Sequence, residues 1–394
     1  MFKNNLKFFF LTLIIFIISL YHKLKNSEEI YSLKMKREIK KLKDFCILCN
    51  NGKLLNKKKF IKCKKPKVSI ITSVYNGEKF ILRFVRSIQN QFFDDIEIIF
   101  VDDFSKDETI GMIKKYQKED KRIILIKNKK NKGTLISRNI GVLKSKGEYI
   151  IIPDIDDVLS RYILRLCYNL AKSYNCEMIR FIAYVRKIED YLIKKDKFLK
   201  SRLIYQPELS TYLFYGMGYL HLNDFNLWNK FIKREAFIRT LNSIKKFYIN
   251  QKMTIYEDGL INYMLHRNAN SFYFIKKIGY YYIFNKKTIS NINNKLKNKL
   301  KDLFLYFKFV LENSKNTIYE KNMPFYLLKK YGKNFKYINL INKDFKFYID
   351  VIDMFLNNKF IFKNYTVILK KLKNIFISKK MHKKIIIFPS FQIA

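Results

Sequence analysis

Glycine occurs 11 times and proline 5 times in 394 residues. Collagen-like repeats and Gly/Pro-rich linkers are therefore excluded. Acids are scarce as well: 33 Asp and Glu stand against 79 Lys and Arg, a formal net charge of +46. Apolar residues are not scarce, at 48% with 16% aromatics, which excludes a wholly disordered chain. Only one apolar run approaches the length of a membrane span, so a polytopic membrane protein is excluded too. No internal repeat is present. The length suits two or three domains and is ample for a buried core.

The charge admits two readings. One is the electrostatic footprint of a nucleic-acid binder. The other is the composition that AT-rich coding produces, crowded with Lys, Asn, Ile, Phe and Tyr. Position along the chain separates them. Residues 1–65 hold 17 Lys/Arg and 4 Asp/Glu, and residues 286–394 hold 24 and 6. Residues 66–160 hold 17 and 14. A phosphate-backbone binder concentrates cations on its folded reading surface, whereas here the best-organised stretch is nearly balanced. No nucleic-acid partner is expected.

The apolar run, Phe8 to Tyr21, is 14 residues long. As a helix it reaches about 21 Å, short of the ~30 Å hydrocarbon core unless Lys7 and Lys23 snorkel. No small-x-small cleavage site follows it, so residues 1–25 read by preference as an uncleaved signal anchor, with a cleaved signal peptide and a buried helix as the alternatives. The expected location is a single-pass membrane protein of type II orientation, in the ER or Golgi if the cell is eukaryotic. Residues 26–65 read as a basic stem, helical around Glu29–Asp44. Cys46, Cys49 and Cys63 resemble half of a zinc site without a fourth ligand at useful spacing. A disulfide among them remains open, as do free thiols. Cys167 and Cys176 fall in an apolar helical pattern that predicts core positions.

From Pro66 strands and helices alternate. Apolar runs at 68–74, 96–101, 122–126 and 148–152 predict strands, and the 3.6-residue spacing of Phe80, Ile81, Phe84, Val85 and Ile88 predicts a helix between the first two. Further helices are predicted through Tyr116, where Ser105 or Asp107 can cap, and from Leu135 to Leu143. Continuous apolar strands alternating with helices predict a parallel sheet covered on both faces. Such sheets bind ligands beyond the carboxyl ends of their strands. Three of the four ends carry polar groups: Ser73 and Asn76, then Asp102 and Asp103, then Asp154, Asp156 and Asp157. Neither a Gly-x-Gly-x-x-Gly turn nor a Walker lysine loop is present, so hydride transfer on a dinucleotide and P-loop phosphoryl transfer lose their usual anchor. Three carboxylates at one strand end repel unless a cation intervenes. A divalent oxygen-seeking ion, Mg or Mn, resolves that and leaves positions open for a diphosphate. The plainer alternative is a solvated acidic turn, with Asp157 capping a helix at 160–172.

Residues 66–80, 96–109 and 128–157 resemble the family-2 glycosyltransferases of GT-A fold, in order and in spacing. The resemblance implies a GT-A nucleotide-diphospho-sugar transferase fold: an α/β, Rossmann-like, mostly parallel sheet with helices on both faces. It implies that Ser73, Tyr75, Asn76, Asp102 and Asp103 face the donor nucleotide, with Arg138 and Asn139 beside it. Asp154, Asp156 and Asp157 would form the Asp-x-Asp motif holding diphosphate and metal. Phe104 departs from the family's small glycine, and Pro153 precedes the aspartates.

Further on, Glu257 and Asp258 match the family's later acidic pair, and Asp258 is the implied base that deprotonates the acceptor. The same two carboxylates also suit a first helical turn. Trp228 suits either the core or a sugar-stacking platform for the acceptor. The Gln-x-x-Arg-Trp motif of processive members is absent, which favours transfer of a single sugar. The expected organisation is therefore an anchor (1–25), a stem (26–65), a catalytic domain (66–290, divided at 160 into nucleotide and acceptor halves) and a basic helical C-terminal region (291–394). The expected partners are a nucleotide sugar, UDP-linked by preference, a glycan, lipid or protein acceptor, and a membrane. The alternative is an inactive relative that binds an acidic polymer or a membrane surface through its basic flanks.

Overall fold

The structure is a computed structural model that describes residues 33–55, 59–185, 203–206, 226–248, 257–283 and 292–313, with a few isolated positions beyond. The apolar run at 8–21 and the final residues lie outside the described residues. Among the described residues no helix is long and apolar enough to cross a membrane.

Helix α1 (residues 33–50) precedes the alternating region. There β1 (Val68–Val74), α2 (Glu78–Gln89), β2 (Ile96–Asp102), α3 (Thr109–Glu119), β3 (Ile123–Lys127), α4 (Thr134–Lys144) and β4 (Tyr149–Ile151) follow the expected alternation. Beyond it come β5 (Val158–Leu159), α5 (Ile163–Ser173), β6 (Met178–Val185), β7 (Leu203–Tyr205) and β8 (Lys230–Lys233). The remaining elements are α6 (Arg234–Tyr248), α7 (Glu257–Asn268), β9 (Ser271–Tyr282) and α8 (Ile292–Asn313).

One sheet runs β3-β2-β1-β4-β8-β6-β9-β5, with β7 pairing beside β9. The first four strands are parallel, as their apolar continuity predicts. The second half is not: β8 is antiparallel to β4 and to β6, and β5 and β7 are antiparallel to β9. The sheet is therefore mixed rather than mostly parallel. Its order reverses around β1, which has β2 on one side and β4 on the other. That reversal opens a crevice at the carboxyl ends of these strands.

Apolar side chains alternate between two cores. Ile71, Ile99 and Ile150 point to the face covered by α4, α6, α7 and α8, while Ile70, Ile98 and Ile151 point to that of α2, α3 and α5. Helix α4 lies very close to the sheet: a Cβ on Gly141 would stand 2.4 Å from Ile71 Cγ2 and 3.1 Å from Val101 Cγ2. Only a residue without a side chain fits there.

The borders at 65 and 290 are not breaks in packing. Phe45, Cys46 and Cys49 of α1 pack on Val158, and Met35, Ile39 and Leu42 join the larger core. Leu303, Phe304, Tyr306 and Phe307 of α8 are buried in that same core.

Candidate active site

The end of β1 turns through Tyr75, which is exposed, and Asn76, whose φ is +51°. The Asn76 amide donates to Ser105 Oγ at 2.9 Å, and Asn76 Oδ1 accepts from the Lys106 amide at 2.8 Å. The loops after β1 and β2 are thereby cross-linked. Ser73 is half-buried near the end of β1. Asp102 serves its own turn, its Oδ2 accepting from the amides of Phe104 and Ser105 at 3.2 Å. This holds Phe104 at φ +73°, a left-handed position strained for a bulky residue. That geometry is the physical reason a glycine would be at ease there.

Asp103 reaches the other way. Its carboxylate accepts from Asn128 Nδ2 (2.9 Å) and from the Lys132 and Gly133 amides (2.8 Å each). Both oxygens are engaged by the loop before α4, so Asp103 fixes where that helix begins. Asp107, rather than Ser105, serves the start of α3: it accepts from the Thr109 amide at 3.2 Å, and its other oxygen from the Glu78 amide at 3.2 Å.

One and a half turns into α4 stands Arg138, only 5% exposed. Its guanidinium meets Asp154 Oδ1 at 2.6 Å, Glu257 Oε1 at 3.4 Å and, through the Glu257-bound nitrogen, Asp258 Oδ1. Three elements thus converge on one cation: α4, the loop after β4 and the first turn of α7. Burial opposes the charged guanidinium, yet the three carboxylates outweigh it and raise its pKa. Burial pushes Asp154 up to about 6 despite Arg138. Burial, reinforced by the Asp258 charge, pushes Glu257 up to about 8. Asp258 Oδ2 also accepts from the Leu227 amide at 3.3 Å. Its side chain keeps 20% exposure against 11% for Glu257, so Asp258 is the more accessible of the pair. The acidic pair does lie in a first helical turn, and it is also part of the site. Asn139, beside Arg138, is buried, and neither of its amide atoms has a hydrogen-bond partner among the described residues.

The three aspartates after β4 do not act alike. Asp157 is buried and accepts from Tyr280 Oη at 2.8 Å and from the Ile283 amide at 2.7 Å. It caps no helix, and both of its oxygens already accept hydrogen bonds, which sets it apart from the expected three-ligand group. Tyr280 Oη also accepts from the Asp154 amide at 3.0 Å, so one tyrosine braces both ends of the motif. Among the described residues no group of three or more His, Cys, Asp or Glu is arranged to hold a metal ion. Two carboxylates still fit one: Asp154 and Asp156 are half-buried, and burial raises both pKa values. Desolvated carboxylates favour a nearby cation. Magnesium-type sites use one or two carboxylates plus substrate phosphates and water.

Behind this loop, Arg83 of α2 donates through Nη2 to the Asp156 carbonyl and through Nη1 to Asn50 Oδ1 at 3.3 Å. The segment after α1 is held to α2 by Leu55 N to Asn90 Oδ1 (2.8 Å), Asn90 Nδ2 to the Lys53 carbonyl (2.9 Å) and Arg86 Nε to the Gly52 carbonyl (3.0 Å). All five cysteines are free; Cys46, Cys49, Cys167 and Cys176 are buried, and burial pushes the Cys49 thiol up to about 12. Neither a disulfide nor a zinc site forms among the described residues. Trp228 is 8% exposed and stacked on Tyr280 at 4.7 Å, so the indole serves as a core group. Sequence reasoning missed Arg83 and Tyr280. Arg83 reads as an ordinary polar position of an amphipathic helix, and Tyr280 is one tyrosine among 28.

Residues 69–241 match the model of the family described as glycosyl transferase family 2. An uncharacterised glycosyltransferase of Methanocaldococcus jannaschii is 27% identical over 57% of this chain and 79% of its own. The cholesterol galactosyltransferase of Borreliella burgdorferi is 28% identical over 55% of this chain and 60% of its own, so the match leaves two fifths of that relative uncovered. The crystal structure of S. aureus TarS 1–349 with UDP-GlcNAc superposes with a TM-score of 0.59 at 16% identity, covering 81% of this chain and 92% of that one. That likeness establishes the GT-A-like fold.

Proposed function

We propose, from the match of residues 69–241 to glycosyl transferase family 2, that the chain is a member of that family and moves a single sugar from a nucleotide-sugar donor to an acceptor hydroxyl with inversion. The observation that carries this reading is the buried Arg138 joining Asp154 to Glu257 and Asp258. It draws together a diphosphate-side carboxylate and a candidate base from positions more than 100 residues apart. The UDP-GlcNAc held by TarS, on a similar fold, supports UDP as the first nucleotide to test.

Asp258 is the base. The acceptor oxygen attacks the anomeric carbon, its proton passes to the Asp258 carboxylate, and the bond from that carbon to the nucleoside diphosphate breaks. Attack opposite the leaving group inverts the configuration. Asp154 and Asp156 would hold a divalent Mn or Mg ion, which when bound supplies stabilisation of the charge that develops on the diphosphate. Arg138 orients Asp258 and Asp154 relative to each other, and Glu257 keeps a proton at neutral pH that lowers the charge around them. The membrane location stays with the apolar run at 8–21, whose place in the cell a fractionation of the full-length protein tests directly.

Asp156→Asn and Asp258→Asn each leave a folded protein and lower transfer by 100-fold or more, within the range about 10²–10⁴ that a general base contributes. Transfer is read by release of nucleoside diphosphate. Near-wild-type turnover by both purified variants overturns the site assignment.

A further inference from the structure

Phe104 is the most strained bulky residue among those described, at φ +73°, and its side chain is 40% exposed rather than anchored in the core. Strain of this kind persists only where the surroundings enforce it, typically at ligand-handling sites. Here the surroundings are explicit. Asp102, buried behind the loop, takes the Phe104 and Ser105 amides, while Asn76 ties Ser105 and Lys106 to the neighbouring strand end. Lys106 Nζ sits 3.6 Å from the centre of the ring. An exposed aromatic ring is thus held by four hydrogen bonds that do not involve its own side chain.

The placement suggests its use. A nucleoside diphosphate is extended, with anionic oxygens at one end and an aromatic base at the other. In the crevice, the charged groups Arg138, Asp154 and Asp156 gather beyond β4, whereas the ends of β1 and β2 are rigid, cross-linked and carry exposed rings. With the divalent ion proposed on Asp154 and Asp156, the diphosphate belongs with the first set, which leaves the second for the base. We propose that Phe104 is a base-stacking, specificity-determining residue of the donor pocket, kept in its strained conformation for that purpose. The proposal rests on the reading of the crevice as a nucleotide-sugar site.

The test is calorimetric titration of wild type, Phe104→Gly and Phe104→Ala with UDP, GDP and inorganic diphosphate in the presence of Mn. Base–aromatic stacking is worth about 1–3 kcal/mol, so both variants should bind UDP about tenfold or more weakly. Diphosphate binding should be unchanged. Phe104→Gly should also melt higher than Phe104→Ala, because glycine alone is relaxed at this φ. UDP binding by both variants equal to wild type overturns the role of Phe104 while leaving the nucleotide site standing. Equal losses of UDP and diphosphate overturn it also, since the ring would then act on the loop and not on the base. Wild type that binds neither UDP nor GDP overturns the nucleotide-site reading and this proposal with it.

Discussion

Arg138 faces more negative charge than one guanidinium can balance: three carboxylates lie within 3.4 Å in a largely buried cluster. The imbalance is relieved by a proton. In the unfolded chain Glu257 loses it near the ordinary 4.5, while in the fold it is kept to about 8. Between those values the folded state binds more protons than the unfolded one, so stability falls as pH rises from about 4.5 to about 8. Asp154, raised to about 6, adds to the same trend in the lower part of that window. The melting temperature of metal-free protein is therefore expected to drop from pH 5 to pH 8, and Glu257→Gln should flatten the drop. An equally steep profile in that variant removes Glu257 as its source. Arg138→Met strands Asp154 and Asp258 without their cation and should cost about 3–5 kcal/mol in denaturant unfolding. At this scale the sequence was half legible. The strand-end residues could be named, but their pairing could not, because Arg138 and its partners are separated by 16, 119 and 120 positions. Nor could it be seen that Asp103 and Asp157 are engaged by backbone amides and a tyrosine.

Among the elements, the four parallel strands were legible because each is a continuous apolar run bounded by polar turns. The mixed half was not: β5 has 2 residues and β7 has 3, too short for any periodicity to register. Helix α1 is a different case. Its buried positions Met35, Ile39, Leu42, Cys46 and Cys49 follow alternating steps of four and three, the spacing of one helical face, under a covering of lysines. The signal was present and the charge drew attention from it. That face packs behind the aspartate loop, and Arg83 connects the two by bonding both Asn50 and the Asp156 carbonyl. Arg83→Ala should leave the far-UV circular dichroism unchanged and weaken Mn-dependent UDP binding several-fold by loosening that loop. If the UDP affinity of this variant equals that of wild type, the loop does not depend on the arginine.

For the whole molecule, the sign of the charge inverts between the long range and the site. The chain carries +46, mostly in its flanks, so its far field draws in an anionic nucleotide sugar whatever the local detail. Within the crevice the order is reversed: Asp154, Glu257 and Asp258 already use the charge of the buried Arg138, and Asp156 and Asp157 add two more carboxylates from the same loop as Asp154. A diphosphate arriving there meets carboxylates with no spare cation among the groups just named. Attraction at a distance and repulsion at contact are compatible only if something positive arrives with the ligand. A divalent metal would fulfil that condition, since Asp154 and Asp156 are half-buried carboxylates that would lose their mutual repulsion on binding it. UDP should therefore raise the melting temperature in Mn or Mg and leave it unchanged in EDTA, while raising the salt concentration should slow association more than dissociation. Asp156→Asn should bind UDP less tightly in Mn yet show the same salt dependence of association, because the far field is set by the flanks. A UDP shift of equal size in EDTA would mean that Arg138 is released to the diphosphate, and the cation would then have no part in donor binding.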